Sequence, residues 1–364
     1  MSVPVEARQA VRIGLLSAEH VHAPTYLSLL ASMPGARLVG VWDEDQGRAA
    51  AAAAPVSTRA FDDVDELLEQ VDGVVIASAN SRHRRLVEVA ATAGVDVLCE
   101  KPLATTVDDA RAIVDACDRA GVRLMTAFPT RWNPAARALE SAVRSGALGA
   151  PVFLEGVNTG TMPDIHAAWF VDPARSGGGA VTDHVVHLAD LFRWILRSEV
   201  VEVYAVANRI LQERFAGVET GGLVSMRFAS GVSATIDCSW SKPRSYPTWG
   251  GLSVQAVGTG GAFGIDAFRQ HLAVYGTRET GISWPAWGPN ADRGMLAEFL
   301  SVVRDDREPA VTGIDGLRAV EIVDAAYRSI AAGAPVPLRV GERAGVAPSG
   351  PADEGATTRR RADR

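Results

Sequence analysis

Along the first third of the chain, unbroken apolar runs alternate with stretches in which apolar residues recur every three or four positions. The runs at 11–16, 37–42, 73–78, 95–99 and 122–128 lack the polar alternation of a half-solvated strand, and predict strands buried on both faces. Between them, residues 23–30, 47–54, 62–70, 84–93 and 107–120 predict helices. Strict strand–helix alternation predicts an α/β unit: a Rossmann-like, doubly wound parallel sheet covered on both faces.

After a further helix at 134–145 and a turn-rich joint at 146–151, the pattern changes. Short runs at 152–157, 200–211, 222–228, 232–239, 252–257 and 262–265 are linked by Gly-containing turns such as Ala229-Ser230-Gly231 and Thr259-Gly260-Gly261, the mark of antiparallel hairpins. A helix at 179–196 interrupts them, and helices at 293–304 and 316–331 are expected to close the unit. The second half therefore predicts an α+β domain with an open, mostly antiparallel sheet. The expected divisions are a flexible tail over 1–9, a dinucleotide-binding domain over 10–131, a substrate-binding and oligomerisation domain over 132–340, and a disordered tail over 341–364 rich in Ala, Gly, Pro and Arg.

Composition narrows the classes. With 36 basic and 43 acidic residues the net charge is -7, and the basic run Arg359-Arg360-Arg361 lies in the tail, which argues against a nucleic-acid binder. The 3 cysteines, Cys99, Cys117 and Cys238, are too few and scattered for a disulfide framework or a thiolate metal site, and suit a reducing cytoplasm. No apolar leader opens the chain and no run of about 18 apolar residues follows, so neither export nor a membrane partner is expected.

Candidate chemistry begins where the fourth run stops, at Glu100-Lys101-Pro102. Proline fixes φ and cannot donate to a ladder, so the strand ends and Lys101 is presented at the carboxyl rim of the sheet, where open α/β sheets bind their ligands. A dinucleotide-binding strand normally enters its helix through G-x-G-x-x-G, which lets backbone approach a pyrophosphate. Here the stretch is Ser17-Ala18-Glu19-His20-Val21-His22, with Ser17, Glu19 and His22 at the glycine positions. Asp43, ending the second strand, is placed to accept hydrogen bonds from an adenosine ribose and to repel a 2'-phosphate, which favours NAD over NADP; it would equally open the turn Asp43-Glu44-Asp45. His20 and His22 beside Glu19 have a metal-like spacing, but the pattern is short and common, and no metal is assigned.

The most informative stretch of the second half runs from Ser176 through Gly177-Gly178-Gly179 to Asp190. The glycines let backbone come close to a ligand or another strand. Asp183 and His187, four apart, share a helix face and suit proton transfer, and Asp190 follows three residues later. His184 could add a metal ligand, a weaker reading.

Taken in order, Asn80 with His83 after the third strand, Glu100-Lys101-Pro102, Gly146-Ala147-Leu148-Gly149, the triple glycine with Asp183, His187 and Asp190, and Val257-Gly258-Thr259-Gly260-Gly261 resemble the Gfo/Idh/MocA oxidoreductases. The resemblance runs from Val11 to about Leu338. It implies a Rossmann domain binding NAD or NADP, a second domain whose sheet often forms a dimer or tetramer interface, and sugar, cyclitol or polyol substrates. It also implies a catalytic group of Lys101, Asp183 and His187. Cofactor contacts are expected from Ser17, Ala18, Glu19, His20, Val21, Asp43, Ser78, Ala79, Asn80, His83, Glu100 and Lys101, and substrate contacts from Lys101, Arg131, Asn158, His166, Trp169, Asp183, His184 and His187. The expected activity is hydride transfer between nicotinamide and a secondary alcohol or ketone. NAD-assisted or metal-assisted glycoside cleavage on the same scaffold, or a redox-inactive binding protein, are the alternatives. The chain departs from the family at the glycine loop and between Asp183 and His187, where the usual glycine is replaced.

Overall fold

A computed structural model of the chain describes residues 10–163, 168–212, 217–275 and 281–338. The tails expected at 1–9 and 341–364 lie outside the described residues.

Strands β1 (Val11–Leu16), β2 (Ala36–Trp42), β3 (Arg59–Phe61), β4 (Gly73–Ile76), β5 (Asp96–Cys99) and β6 (Leu124–Thr126) form one parallel sheet in the order β3-β2-β1-β4-β5-β6. The order reverses between β1 and β4, the switch point at which such sheets bind ligands beyond the strand ends. The connecting helices are α1 (Ala23–Ser32), α2 (Gln46–Ala53), α3 (Val64–Leu68), α4 (His83–Thr92) and α5 (Val107–Ala120). Local chemistry sets their ends: Thr106 caps α5 by accepting from the Asp109 amide, and Gly121 closes it in the left-handed conformation. Edge strand β3 was not expected; only its Phe61 is buried, so three residues carry no periodic signal.

Helix α6 (Pro134–Arg144) leads into the second unit. Its strands are β7 (Pro151–Thr161), β8 (Val200–Asn208), β9 (Gly221–Phe228), β10 (Ser233–Lys242), β11 (Gly250–Gly258) and β12 (Gly261–Asp266). With the terminal β15 (Val336–Pro337) they form a sheet in the order β12-β11-β7-β10-β9-β8-β15, and β13 (Val274–Tyr275) pairs separately with β14 (Ile282–Ser283). The hairpins are antiparallel as expected, but β7 and β10 pair in parallel, making the sheet mixed. The short α7 (Pro173–Ser176) precedes α8 (Ala180–Leu196), which packs on this sheet: a Cβ at Gly156 would touch Leu188 and Phe192.

The last helices depart from expectation. Instead of closing the second unit, α9 (Ala291–Asp305) lies against the first, where Phe299 and Val303 cover Gly73 of β4. Helix α10 (Gly313–Ala332), begun by a Thr312/Asp315 capping box, lies between the two: Gly316 abuts Thr126 and Leu103, while Tyr327 reaches Thr182 of α8. The chain therefore crosses between units more than once, which a periodicity reading cannot see.

Candidate active site

Lys101 leaves the end of β5 and crosses to the second unit, where its Nζ donates to Asp183 Oδ1 at 2.9 Å and to the Asp183 backbone oxygen at 3.3 Å. Both side chains are largely buried, at 5% and 16% exposure. Trp240 Nε1 donates to the other carboxylate oxygen at 3.1 Å. Burial alone would raise the Asp183 carboxyl, but the Lys101 charge and the hydrogen bonds from Lys101 and Trp240 outweigh it, and the group is held far below the usual carboxylate range. It is an ionised acceptor that fixes the lysine.

His187, one turn further along α8, is 8% exposed. Asp183, four positions earlier on the same helix, would favour a protonated His187, but other influences prevail. Burial and the nearby Lys101 charge hold His187 well below the ordinary histidine range, outweighing Asp183. The carboxylate is engaged by Lys101, and the neighbouring imidazole is held neutral. Its Nδ1 is buried without a hydrogen-bond partner among the described residues.

The three glycines do bring backbone close, to the chain itself: a Cβ at Gly179 would lie 2.0 Å from the Glu219 backbone oxygen. The Glu219 carboxylate accepts from the Gly179 and Val181 amides at 3.0 and 2.9 Å and from Tyr327 Oη at 2.8 Å, anchoring the start of α8.

Behind Lys101, Glu100 is fully buried. It accepts from Tyr26 Oη at 2.6 Å and lies 2.7 Å from His22 Nδ1, and its second oxygen accepts from the Lys101 amide at 3.0 Å. Burial would raise Glu100, yet His20 and His22 pull it well below the carboxylate range; burial works against His22 too, but Glu100 raises it. Burial lowers His20 to about 3. The carboxylate that meets the two histidines is thus Glu100, not Glu19. Ligand atoms of His20, His22 and Glu100 lie within 4.8 Å of one another. His20 Nδ1 accepts from the His22 amide at 3.2 Å and Glu100 accepts the three contacts above, so the protein's own donors hold this group together. His83 also serves this turn: its Nδ1 donates to the Pro102 oxygen at 2.9 Å.

At the switch point, Ser17 adopts φ 64°, the left-handed turn that a first glycine ordinarily supplies. Its hydroxyl and the Ala18 amide donate to Asp43 at 2.9 and 2.8 Å. Asp43 also accepts from the Asp45 amide and, through both oxygens, from Arg48, which outweighs burial and keeps it ionised. Asp43 thus opens its turn, as one of its two readings has it, and at the end of β2 its oxygens are taken up by Ser17, Ala18, Asp45 and Arg48. Val21 is partly exposed, and Ser78 Oγ donates to the Ala79 oxygen at 3.1 Å. Asn80 donates to the Ser176 oxygen at 2.8 Å and leaves its own Oδ1 buried without a partner among the described residues. The left-handed turn at Ser17 and the unspent Asn80 oxygen could receive a nucleotide laid across the β1–β4 ends, which Ser17, Ala18, Ser78, Ala79 and Asn80 would then hold.

Of the residues expected in the substrate pocket, Asn158 donates to the His184 backbone oxygen at 3.2 Å and keeps an Oδ1 without a partner among the described residues. His184 stacks on Trp249 with ring centroids 5.9 Å apart. Trp169 stacks on Phe170 at 3.9 Å and donates to the Glu19 backbone oxygen at 3.4 Å, so it meets the nucleotide loop. His166 lies outside the described residues. Arg131 belongs elsewhere: it makes a two-pronged ion pair with Asp190, at 2.8 and 2.5 Å, and donates to the Ala310 oxygen at 3.0 Å. Tyr26 and Trp240 were not expected from the sequence. Trp240 has the inward parity of Ile236 and Cys238 on β10, a signal that places it against α8 without naming its partner.

Burial lowers His20, His83, His184 and His187 below the ordinary histidine range, while His22 alone is raised. A histidine kept neutral by the fold stabilises it above an unfolded pKa of about 6.5, and this is lost as pH falls, by up to about 1.4 kcal/mol per unit for each. His22 acts in the opposite sense. Urea midpoints are therefore expected to fall between pH 6.5 and 5; a midpoint that held or rose on acidification would contradict neutral burial.

Comparison with known proteins bears on the family and the fold. Residues 12–128 match the profile described as an oxidoreductase family with an NAD-binding Rossmann fold, and residues 136–264 match the GFO/IDH/MocA C-terminal domain. D-apiose dehydrogenase of Paraburkholderia graminis is 32% identical over 343 residues, covering 90% of this chain and 88% of that protein. The scyllo-inositol 2-dehydrogenase (NAD(+)) of Bacillus subtilis is 27% identical over 341 residues, covering 90% and 95%. Among solved structures, GenD2 from gentamicin A biosynthesis in complex with NAD superposes with a TM-score of 0.83 at 25% identity, covering 93% of this chain and 99% of that one. No described helix is long and apolar enough to cross a membrane. With its parallel nucleotide sheet, its lysine-bearing β5 terminus and its mixed second sheet, the chain belongs to the Gfo/Idh/MocA family of NAD-binding oxidoreductases.

Proposed function

We propose that the protein is an NAD-dependent dehydrogenase of a secondary alcohol on a sugar, cyclitol or related polyol, with Lys101, Asp183 and His187 as its catalytic group. The observation that carries this reading is the buried Lys101–Asp183 pair, 2.9 Å across the junction of the two units, with neutral His187 one helical turn away. NAD, when bound, supplies the hydride acceptor. The chain's own residues handle the oxygen and its proton. His187 accepts the hydroxyl proton, Lys101 donates a hydrogen bond to the oxygen as negative charge develops there, and Asp183 keeps the lysine aimed. Asn158 and the His184–Trp249 stack offer a polar and a flat surface for a hydroxylated ring. The names of the sugar and inositol dehydrogenases among its relatives support the substrate class.

The test is NADH formation by the purified protein across a panel of aldoses, inositols and linear polyols, with product analysis. A turnover-supporting hydroxylated substrate is expected. Cleavage of glycosides without net NADH, or no micromolar binding of NAD, would overturn the reading. We further infer a homo-oligomer, because the sheet face away from α8 leaves Tyr204, Val206, Leu223 and Val257 exposed; sedimentation velocity on the same preparation would reject this by giving a monomer mass.

A further inference from the structure

A dinucleotide pyrophosphate is held at the N-terminus of the helix after β1, where the strand order reverses. In this chain that loop carries a carboxylate. Glu19 Oε2 accepts from the Ala79 amide, at the head of the segment after β4, at 3.3 Å. Unopposed, its charge would repel a pyrophosphate a few ångströms away. It is not unopposed: Arg175 of α7 places Nη2 2.5 Å from Glu19 Oε1.

Arg175 comes from the second unit, and its segment is fastened to the nucleotide loops at three further points. Trp169 Nε1 donates to the Glu19 backbone oxygen, Asn80 Nδ2 donates to the Ser176 oxygen, and the His20 ring lies 5.8 Å from Trp169 and 5.5 Å from Phe170. Asp172 fixes the start of α7 by accepting from the Ala174 amide at 3.0 Å. The guanidinium is therefore delivered to Glu19 by a held segment, and the pair is mostly sheltered, with Glu19 at 11% exposure.

We propose that Arg175 is a positioning residue for the cofactor: by pairing with Glu19 it cancels the charge of an acidic phosphate loop, so that the second unit sets the affinity of the first for NAD. The inference rests on the NAD-dependent reading above. The loop dispenses with glycines through two substitutions that work together, Ser17 supplying the left-handed turn and the Glu19–Arg175 pair supplying a neutral rim.

Calorimetric titration of NAD into the full-length protein tests this without any turnover. Arg175→Met is expected to weaken NAD at least tenfold, with a loss that shrinks at high salt because a bare Glu19 charge is screened. Arg175→Lys should stay within a few-fold of wild type. Glu19→Gln alone should bind at least as well as wild type, and Glu19→Gln/Arg175→Met should recover most of the loss. A merely structural arginine would not be rescued by removing the carboxylate, and melting curves without NAD separate unfolding from lost affinity. Unchanged binding in Arg175→Met, a loss that persists in the double variant, or a tenfold loss in Glu19→Gln would each overturn the proposal. Absence of NAD binding by the wild type would instead overturn the cofactor reading on which it stands.

Discussion

Lys101→Met is expected to lower kcat/KM by roughly 10²–10³-fold while NAD still binds, because it removes the donor that the proposed mechanism directs at the reacting oxygen. Methionine keeps most of the stem volume and loses only the charge and its hydrogen bonds. The substitution also strands Asp183, whose remaining partners are the Trp240 indole and, at 3.8 Å, His184. A buried carboxylate without its cation is costly and will take up a proton, so some stability is lost as well. Lys101→Met/Asp183→Asn separates the two effects: it should regain the melting temperature and remain inactive. Activity within tenfold of wild type in the single variant, on a substrate found by the panel, would remove Lys101 from the catalytic group.

The largest effect on stability is expected from Arg131→Met. Arg131 is buried with Asp190 and lies 3.0 Å from Asp315 Oδ1, while Arg193 holds Asp315 at 3.2 Å and Glu199 at 2.6 Å. This network ties the segment after β6 to α8 and α10, so one residue joins both units. Breaking a buried pair by deleting one partner costs about 3–5 kcal/mol. Asp190 is already raised by burial despite Arg131; without the guanidinium it will be protonated more readily in the fold than in the unfolded chain. The deficit should therefore shrink as pH falls toward 5, and Arg131→Met/Asp190→Asn should be less destabilised than the single variant. Urea titrations of the three proteins at pH 5 and 7 check this; a single variant within about 1 kcal/mol of wild type would mean that the network is not structural.

Arg131 also marks where sequence reasoning stops. An arginine just past a buried strand looks equally like a ligand contact or a structural cation, and its partners Asp190 and Asp315 are 59 and 184 residues away in the chain. Asp183 and His187 present the same difficulty. Their spacing puts them on one face of α8, which made a mutual pair the natural expectation. The side chain that takes the Asp183 carboxylate is instead Lys101, 82 positions earlier. Glu19 and His20 look adjacent and coupled in sequence, yet Glu19 turns to Arg175 while the histidines turn to Glu100.

What the residues determine by themselves is whatever depends on period, composition and local stops. Unbroken apolar runs between helical stretches can be satisfied only by a sheet covered on both faces, and proline after Lys101 must end its strand at the rim where ligands bind. Hairpin turns and the order of the motifs likewise determine an α+β second half and the family. What tertiary structure alone decided is pairing across distance: that α9 covers the first sheet, that Lys101 rather than His187 holds Asp183, and that Arg175 meets Glu19. These contacts depend on burial, which sets both which charges must find partners and which imidazoles stay neutral, and burial is a property of the folded whole.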